Sequence, residues 1–321
     1  MNSIVPTQTI PILTLTLNPA LDMASDVAEI IPGHKLRCSD PLLDPGGGGL
    51  NVSRAIKALG GDSLALVAIG GLTGDRLAGL IRAEGVTFLS ILGPGETRQS
   101  LTVNEASTGK QYRFMLPGPV WTETERARVF TLLSATARPG GISVISGSQP
   151  PGVPADFPAQ LAASMPGSKI VLDTSGSALS EAVRHPIPGL TVLRMDGEEG
   201  EGLAGRPLHS RADTAEYAQS LVRAGVAEMV IIARGADGNV LATKDRRLFS
   251  PAAKVKVKST VGAGDSFVAA FVLALARNQS AAEALAFGSA SAAAAVMTDA
   301  TQLCRPEDVA RLLPECSAVE V

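Results

Sequence analysis

The fold class that the amino-acid sequence predicts is α/β: a central, mostly parallel sheet with helices on both faces, plus a small β-sheet lid. Short apolar or β-branched runs alternate with helical patterns along the chain, which is typical of parallel sheets covered by helices. Two segments, about 22–40 and 99–116, interrupt this alternation and read as strands joined by turns. Because no internal repeat or linker is visible, we expect residues 1–321 to form one domain carrying these segments as its lid.

The elements of the α/β body follow in chain order. Apolar runs of strand length predict strands at ILTLTL, LALVAIG, ISVISG, KIVLDTS and TVLRMD, and helical periodicity predicts helices at 51–60, 74–84 and 154–164. After a helix near 211–224 we expect the strand EMVIIARG, a hairpin of GNVLAT with RRLFSP, and three final helices. In the lid, alternating residues on either side of STGK predict a further hairpin.

Composition and charge restrict the kind of partner. With 45% hydrophobic and 18% charged residues the chain is typical of a globular protein. A formal net charge of −3 provides no basic surface for nucleic acid or an anionic membrane, so a small-molecule partner is expected. No apolar run approaches the roughly 20 residues that span a bilayer. The N-terminal segment lacks the basic region and cleavage site of a signal peptide, so we expect a cytoplasmic location.

The three cysteines and three histidines have no metal-ligand spacing. Free thiols are therefore expected, and a zinc site or a histidine-based triad is not.

Two glycine clusters are the strongest local signals. The stretch DPGGGGLNVSRAIKALG, residues 44–60, places four glycines before an amphipathic helix. Glycine has no Cβ, so the cluster indicates either a close approach of the main chain or a flexible turn. The stretch STVGAGDSFVAAF, residues 259–271, opens a helix with a Gly-Ala-Gly turn, and the free N–H groups of such a turn bind anions. Asp265 at this helix start is a helix cap or a general base, and caps are the commoner of the two.

Neither cluster matches the usual nucleotide-binding signatures. In the frame set by Gly46 and Gly48, Asn51 takes the place of the last glycine of the dinucleotide fingerprint. The chain also has no segment of the P-loop form.

The order of motifs resembles the PfkB, or ribokinase-like, carbohydrate kinases over nearly the whole chain. The motifs that carry the resemblance are TLNPALD, PGGGGLNVSRAIKALGG, GGLTGDRLAGLIRAEGV, TRQSL, QYRFMLPGP, ISGSQPPGV, VLDTSG and STVGAGDSFVAAF, in this order. The resemblance implies a ribokinase-like fold and ATP-dependent phosphorylation of a sugar. The four glycines are most similar to the minor bacterial 6-phosphofructokinases, because relatives that act on fructose 1-phosphate or tagatose 6-phosphate usually have lysine at the position of Gly48.

The resemblance also implies a role for each residue of the second glycine cluster. Asp265 becomes the catalytic base, and Gly262, Ala263 and Gly264 form the anion hole around the transferred phosphoryl group. This assignment fits phosphoryl transfer, which needs an aligned acceptor oxygen and donors that stabilise developing charge.

The same resemblance implies a sugar-phosphate site. Asp22 and Asn51, which by residue type alone are a turn residue and a helix cap, would bind sugar hydroxyls beside the main chain of Gly46, Gly47 and Gly48. Guanidinium, ammonium and hydroxyl groups suit the phosphate. The residues implied to bind it are Lys35, Arg98, Ser148 and Arg113, of which Arg113 reaches either this phosphate or the nucleotide, while Arg37 acts across a dimer formed by the lid.

The nucleotide side departs from the family pattern. RMDGEE stands where a Lys-Pro-Asn stretch is usual, so Arg194 replaces lysine and Asp196 replaces asparagine, and Ala233 replaces the usual Ser or Thr. The residues implied to bind nucleotide are Arg194, Asp196, Arg234, Gly235 and Gly238, and those implied to organise Mg²⁺ are Glu199 and Asp173. K⁺ is a further candidate cofactor.

The sequence thus predicts an ATP- and Mg²⁺-dependent kinase that phosphorylates the 1-hydroxyl group of fructose 6-phosphate, acting as a homodimer. Two alternatives remain open at this point. One is a kinase for another phosphosugar, namely tagatose 6-phosphate or fructose 1-phosphate. The other is a catalytically weak sugar-phosphate-binding regulator, which the altered nucleotide segments favour.

Overall fold

The computed structural model describes residues 7–299 and 301–321. Its strands are β1 (Ile12–Thr16), β2 (Ala20–Val27), β3 (Leu42–Gly46), β4 (Leu64–Ile69), β5 (Phe88–Leu92), β6 (Arg98–Glu105), β7 (Gln111–Met115), β8 (Ile142–Ser146), β9 (Lys169–Asp173), β10 (Leu190–Met195), β11 (Met229–Ala233), β12 (Gly238–Ala242), β13 (Arg247–Pro251) and β14 (Val319–Glu320). Its α-helices are α1 (Gly48–Ala58), α2 (Gly71–Ala83), α3 (Glu123–Thr136), α4 (Phe157–Ala163), α5 (Gly176–Arg184), α6 (Gly197–Ala204), α7 (Arg211–Arg223), α8 (Ala263–Ala276), α9 (Ala281–Ala295) and α10 (Pro306–Leu312).

The large sheet has the order β14-β13-β12-β11-β10-β9-β8-β1-β4-β5. The seven strands from β11 to β5 run parallel, and β12, β13 and β14 extend the sheet in antiparallel fashion. Every residue of β1 and β8 is buried, because helices cover both faces. Two large apolar cores result, one on each face, and the predicted α/β class is confirmed.

A separate four-stranded sheet has the order β3-β2-β6-β7. The hairpin around STGK is confirmed as the antiparallel pair β6 and β7. The second strand expected within 22–40 is wrong, since 28–41 are irregular and the strand lies at Leu42–Gly46. Pro32 and Pro41 both lie within the irregular stretch, and proline cannot donate to a ladder.

Some elements carry no periodicity that sequence reasoning could use. Helix α3 buries only Val129 and Leu133, and α6 contains three glycines that lower its helix propensity. Both helices begin at a capping box, and this motif is the one feature of their sequences that indicates a helix start. Across the two described ranges, none of the helices combines the length and apolarity needed to cross a bilayer.

Candidate active site

The candidate site lies at the carboxyl edge of the large sheet. Parallel strands end at the same edge, so the residues that end β8, β9 and β10 are brought together. Ser146 Oγ donates to Asp173 Oδ2 at 3.1 Å, and Arg194 Nη1 donates to Asp173 Oδ1 at 3.1 Å. Both ends of the Asp173 carboxylate are thus occupied by protein groups.

The N-terminus of α8 faces this edge. Gly262 is its N-cap, with φ of 75°, a left-handed conformation that glycine adopts without strain. A Cβ on Gly264 would lie 3.1 Å from both terminal nitrogens of Arg194, so glycine lets the guanidinium rest against the turn. The N–H groups of a first helical turn lack intrahelical partners. Together with Arg194 they make this turn suitable for an anion.

Asp265 is the third residue of α8 and does not occupy the N-cap position. Its Oδ2 accepts a hydrogen bond from Asn51 Nδ2 at 2.9 Å. Burial, reinforced by the charge of Asp173, raises the pKa of Asp265 to about 6, while the bond from Asn51 and the charge of Arg194 oppose this rise. The carboxylate is therefore ionised at neutral pH and has more affinity for a proton than an ordinary aspartate.

The four glycines that open α1 are explained by close contacts within the protein. A Cβ on Gly46 would lie 2.0 Å from Asp22 Oδ2, and one on Gly48 would lie 2.6 Å from the backbone nitrogen of Gly147. A Cβ on Gly49 would lie 2.5 Å from the carbonyl oxygen of Leu15. The flexible turn is therefore wrong as an explanation, and the main chain approaches its own neighbours closely.

The small sheet places some of the expected sugar-phosphate residues near one another. Arg98 Nε donates to the carbonyl oxygen of Asn18 at 3.2 Å, and Asn18 Nδ2 donates to Ser148 Oγ at 3.1 Å. Burial raises the pKa of Asp22, while the nearby charges of Arg98 and Arg54 counteract this rise. Arg98 and Ser148 thus gather around Asn18, and Asp22 lies close enough to Arg98 for their charges to interact.

The remaining expected cations lie further out. Arg113 on β7 is exposed, and so are Lys35 and Arg37 in the irregular segment between β2 and β3. The structure does not bring these three side chains into the cluster around Asn18.

The N-terminal turn of α8, residues 262–264, is called the α8 turn. A cavity of about 1170 Å³ adjoins this turn on the side away from the small sheet. This volume is enough for a mononucleotide. Its polar lining includes Arg194, Asp196, Arg234 and Gly235. Its apolar lining is suited to the aromatic base of a nucleotide. This lining consists of Ile232, Ala253, Val255, Val257, Phe267, Ala292, Ala293 and Val296.

Several expected nucleotide residues also have internal partners. The Arg234 guanidinium donates to Asp237 Oδ2 at 2.9 Å and to the carbonyl oxygens of Leu208 and Ser210 at 3.0 and 3.1 Å. A Cβ on Gly238 would lie 2.1 Å from the carbonyl oxygen of Ser250, so close strand packing accounts for this glycine.

The two residues expected to organise Mg²⁺ flank Arg194. Glu199 Oε2 accepts from the backbone N–H of Asp196 at 2.8 Å, and Asp196 Oδ1 accepts from that of Glu199 at 2.8 Å, which forms the capping box of α6. Burial raises the pKa of Glu199. Among residues 7–299 and 301–321, no three His, Cys, Asp or Glu side chains converge as a metal site. The carboxylates of Asp173 and Glu199 are oxygen donors of the kind that Mg²⁺ prefers.

Sequence reasoning missed Asn18 and Ser146. Asn18 lies in TLNPALD, a motif of the family resemblance in which only Asp22 is given a role, and Ser146 ends a strand at the site edge. Polar residues at the carboxyl ends of parallel strands were the usable signal for both.

Comparison with known proteins agrees with this geometry. The sequence pattern of pfkB family carbohydrate kinases matches residues 15–308. The chain is 39% identical to the ATP-dependent 6-phosphofructokinase isozyme 2 of Mycobacterium tuberculosis over 94% of this chain and 88% of that protein. It is 32% identical to the 1-phosphofructokinase of Xanthomonas campestris over 82% of this chain and 83% of that protein.

A solved structure gives the same result for the fold. The phosphofructokinase-2 of Escherichia coli, crystallised in complex with fructose-6-phosphate, superposes with a TM-score of 0.89 at 36% identity, covering 96% of this chain and 99% of that one. The expected ribokinase-like fold is thereby confirmed. These matches show that the chain belongs to the pfkB family of carbohydrate kinases and is a sugar kinase phosphotransferase.

Proposed function

We propose that this sugar kinase transfers the γ-phosphoryl group of ATP to the 1-hydroxyl group of fructose 6-phosphate, with Asp265 as the general base. The observation that carries the proposal is the position of Asp265, whose carboxylate is held 2.9 Å from Asn51 Nδ2 at the α8 turn. The cavity lies on one side of this turn, and the small sheet with Asp22 lies on the other. A donor nucleotide and an acceptor sugar would therefore meet at Asp265.

The proposed step conserves atoms and charge. The sugar oxygen forms a bond to the γ-phosphorus as the bond from that phosphorus to the bridging oxygen of ADP breaks. The hydroxyl proton passes to the Asp265 carboxylate, whose pKa of about 6 favours the ionised form before transfer. The N–H groups at Gly262, Ala263 and Gly264 and the guanidinium of Arg194 stabilise charge on the moving group.

Mg²⁺ would be held by the nucleotide phosphates, with Asp173 and Glu199 acting through its waters. Bound there, the ion would neutralise charge on the β- and γ-phosphates. Arg194 lies 3.1 Å from Asp173 Oδ1, so its positive charge is balanced mainly by that carboxylate. K⁺ stays a prediction.

The choice of fructose 6-phosphate is supported by residues of the sugar site. Arg98 and Ser148 both bond to Asn18, and the charge of Arg98 acts on Asp22, so a guanidinium and a hydroxyl group suited to a phosphate lie together there. The main alternative is fructose 1-phosphate, because a 1-phosphofructokinase is among the similar proteins. Measuring ADP release with both sugar phosphates and with tagatose 6-phosphate separates these substrates, and equal or greater kcat/KM with either alternative would overturn the proposed choice.

The base assignment is tested by Asp265→Asn. We expect turnover to fall by at least about 10³-fold, because an amide cannot accept the hydroxyl proton, while fructose 6-phosphate still binds. ADP release and calorimetric titration measure the two quantities. Near-full activity of the variant would contradict the assignment. The exposed Asp245→Asn is the matched control and should keep its activity.

We further propose that two copies associate through the outer face of the small sheet. Cross-strand pairing puts Leu43, Met23, Leu101 and Phe114 in one row across all four strands. Asp22 has the opposite orientation, because successive strand residues alternate. The row is apolar, and Phe114 is 52% exposed. A second copy would cover this row, and Lys35 and Arg37 of the neighbouring irregular segment would then lie close to the partner's site.

A further inference from the structure

Arg54 is a buried arginine on α1, three residues after Asn51. Its side chain is 7% exposed, and Val52, Ala55 and Ile56 beside it in sequence are buried as well. Burial of a guanidinium costs more than burial of an apolar side chain unless its hydrogen bonds are satisfied. The partners of Arg54 therefore indicate what it contributes.

Most of the guanidinium anchors neighbouring elements. Nε and Nη2 donate to the two carboxylate oxygens of Glu84 at 2.6 and 2.7 Å, and Glu84 is the C-cap of α2. Nη1 donates to the carbonyl oxygen of Pro45 in β3 at 2.7 Å. These bonds tie α1 to the end of α2 and to the small sheet.

One further bond leads to the reacting centre. Arg54 Nη1 also donates to Asn51 Oδ1 at 3.0 Å, and the opposite end of that amide, Nδ2, donates to Asp265 Oδ2. A flipped amide would place NH₂ against the guanidinium and an oxygen against the carboxylate, so that both contacts would become repulsive. The arginine therefore selects the amide orientation that supports Asp265.

We infer that Arg54 is a positioning residue: by fixing the Asn51 amide it holds the Asp265 carboxylate where that group receives the sugar proton. This inference rests on the proposed function of Asp265 as the base. The other charged groups acting on Asp265 are Asp173 from β9, Arg194 from β10 and Asp22 from β2. Because the charge of Arg54 also acts on Asp22, the test keeps a positive charge at position 54, and Asp173 and Arg194 stay in place.

Arg54→Lys tests the inference. Lysine keeps the positive charge beside Glu84 but has one nitrogen, which cannot reach Glu84, Pro45 and Asn51 together. We expect kcat to fall roughly tenfold at pH 7, with KM for the sugar phosphate changed less than about threefold. Loss of the oriented amide removes a bond that favours the ionised carboxylate of Asp265. The acid limb of the plot of kcat against pH should therefore move to higher pH by about one unit.

Two comparisons separate positioning from general destabilisation. Arg277→Lys is the matched control, because the Arg277 guanidinium bonds the carbonyl oxygens of Leu59 and Gly60 at the other end of α1, at 3.3 and 3.4 Å. It should lower the unfolding temperature without moving the acid limb. In an Asn51→Ala background, Arg54→Lys should change kcat less than about twofold, because the route through the amide is already gone.

A measurement without turnover keeps this test independent of the proposed function. In ¹⁵N NMR the Asn51 side-chain NH₂, assigned by its loss in Asn51→Ala, should exchange with solvent at least about tenfold faster in Arg54→Lys. The faster exchange of the Asn51 NH₂ group is expected even if Asp265→Asn proves active, because it depends on the hydrogen bonds of the amide and not on catalysis. An unchanged exchange rate together with an unmoved acid limb would overturn the inference. Should the lysine variant not fold, Glu84→Gln, which loosens the same guanidinium, must increase the exchange rate, and no increase would likewise overturn it.

Discussion

At the scale of single residues, the ionisation of Asp265 links its proposed role as a base to the stability of the protein. Its pKa is raised to about 6 from the usual 3.8, chiefly because burial disfavours the charged carboxylate. The unfolded chain therefore releases this proton at lower pH than the folded protein does. Above about pH 6 the ionised group opposes folding, whereas below about pH 3.8 it is neutral in both states and costs nothing.

Asp265→Asn should consequently stabilise the fold at neutral and alkaline pH. A rise from 3.8 to about 6 corresponds to at most about 3 kcal/mol in the free energy of unfolding. Urea unfolding should show a gain of this order at pH 8 that shrinks steadily as the pH is lowered through 6 towards 4. The exposed Asp245→Asn should change stability by less than about 0.5 kcal/mol at each pH. A pH-independent gain would show that desolvation of the carboxylate is not its cause.

At the scale of elements, the start of α1 shows how a glycine cluster fixes a close junction. The main chain from β3 into α1 passes the ends of β1 and β8 so closely that a side chain at Gly48 would overlap Ser146 Oγ and the backbone of Gly147. The same junction places Asn51 on the first turns of α1, opposite Asp265. Packing of the junction is therefore coupled to the orientation of the Asp265 carboxylate.

Gly48→Ala should lower the free energy of unfolding by about 1–3 kcal/mol, since a backbone 2.6 Å away cannot yield without shifting β8. Chemical denaturation measures this change. Gly79→Ala in the exposed interior of α2 is the matched control, because no heavy atom outside that helix's own backbone lies within 4 Å of its Cβ position. There we expect a gain of about 0.5–1 kcal/mol from helix propensity. Equal effects at both positions would mean that the junction is not tight.

At the scale of the whole molecule, two sheets define the site between them. The large sheet supplies the edge with Asp173 and Arg194, and the small sheet supplies Asp22 and Arg98. The outer apolar row of the small sheet is the surface through which we propose that a second copy associates. A sheet face of this kind requires cover, because exposed apolar rows promote association.

Phe114→Glu should convert the proposed dimer to monomer, since a charge buried in an apolar interface loses its solvation. Sedimentation velocity at micromolar concentration measures the change in mass. Leu72→Glu is the control, because Leu72 on α2 is 81% exposed and lies outside the small sheet. Identical sedimentation of wild type and Phe114→Glu would contradict association through this face.

The sequence by itself determined the parallel α/β body, the second sheet's hairpin and the Gly-Ala-Gly turn that opens α8, because apolar periodicity and turn chemistry are local properties of the chain. The motif order added the family. The boundary of the second lid strand was predicted wrongly, since the proline-flanked segment that precedes it adopts no strand.

Only the tertiary structure decided which groups meet. Asn51 and Asp265 are 214 residues apart, and no local pattern pairs them. The bidentate bond between Arg54 and Glu84 likewise joins two helices, and it reveals why a charge occupies a buried position of α1. The orientation of the proposed base, Asp265, depends on hydrogen bonds that form only when distant segments pack, because their geometry is fixed by the sheets and not by the sequence around each residue.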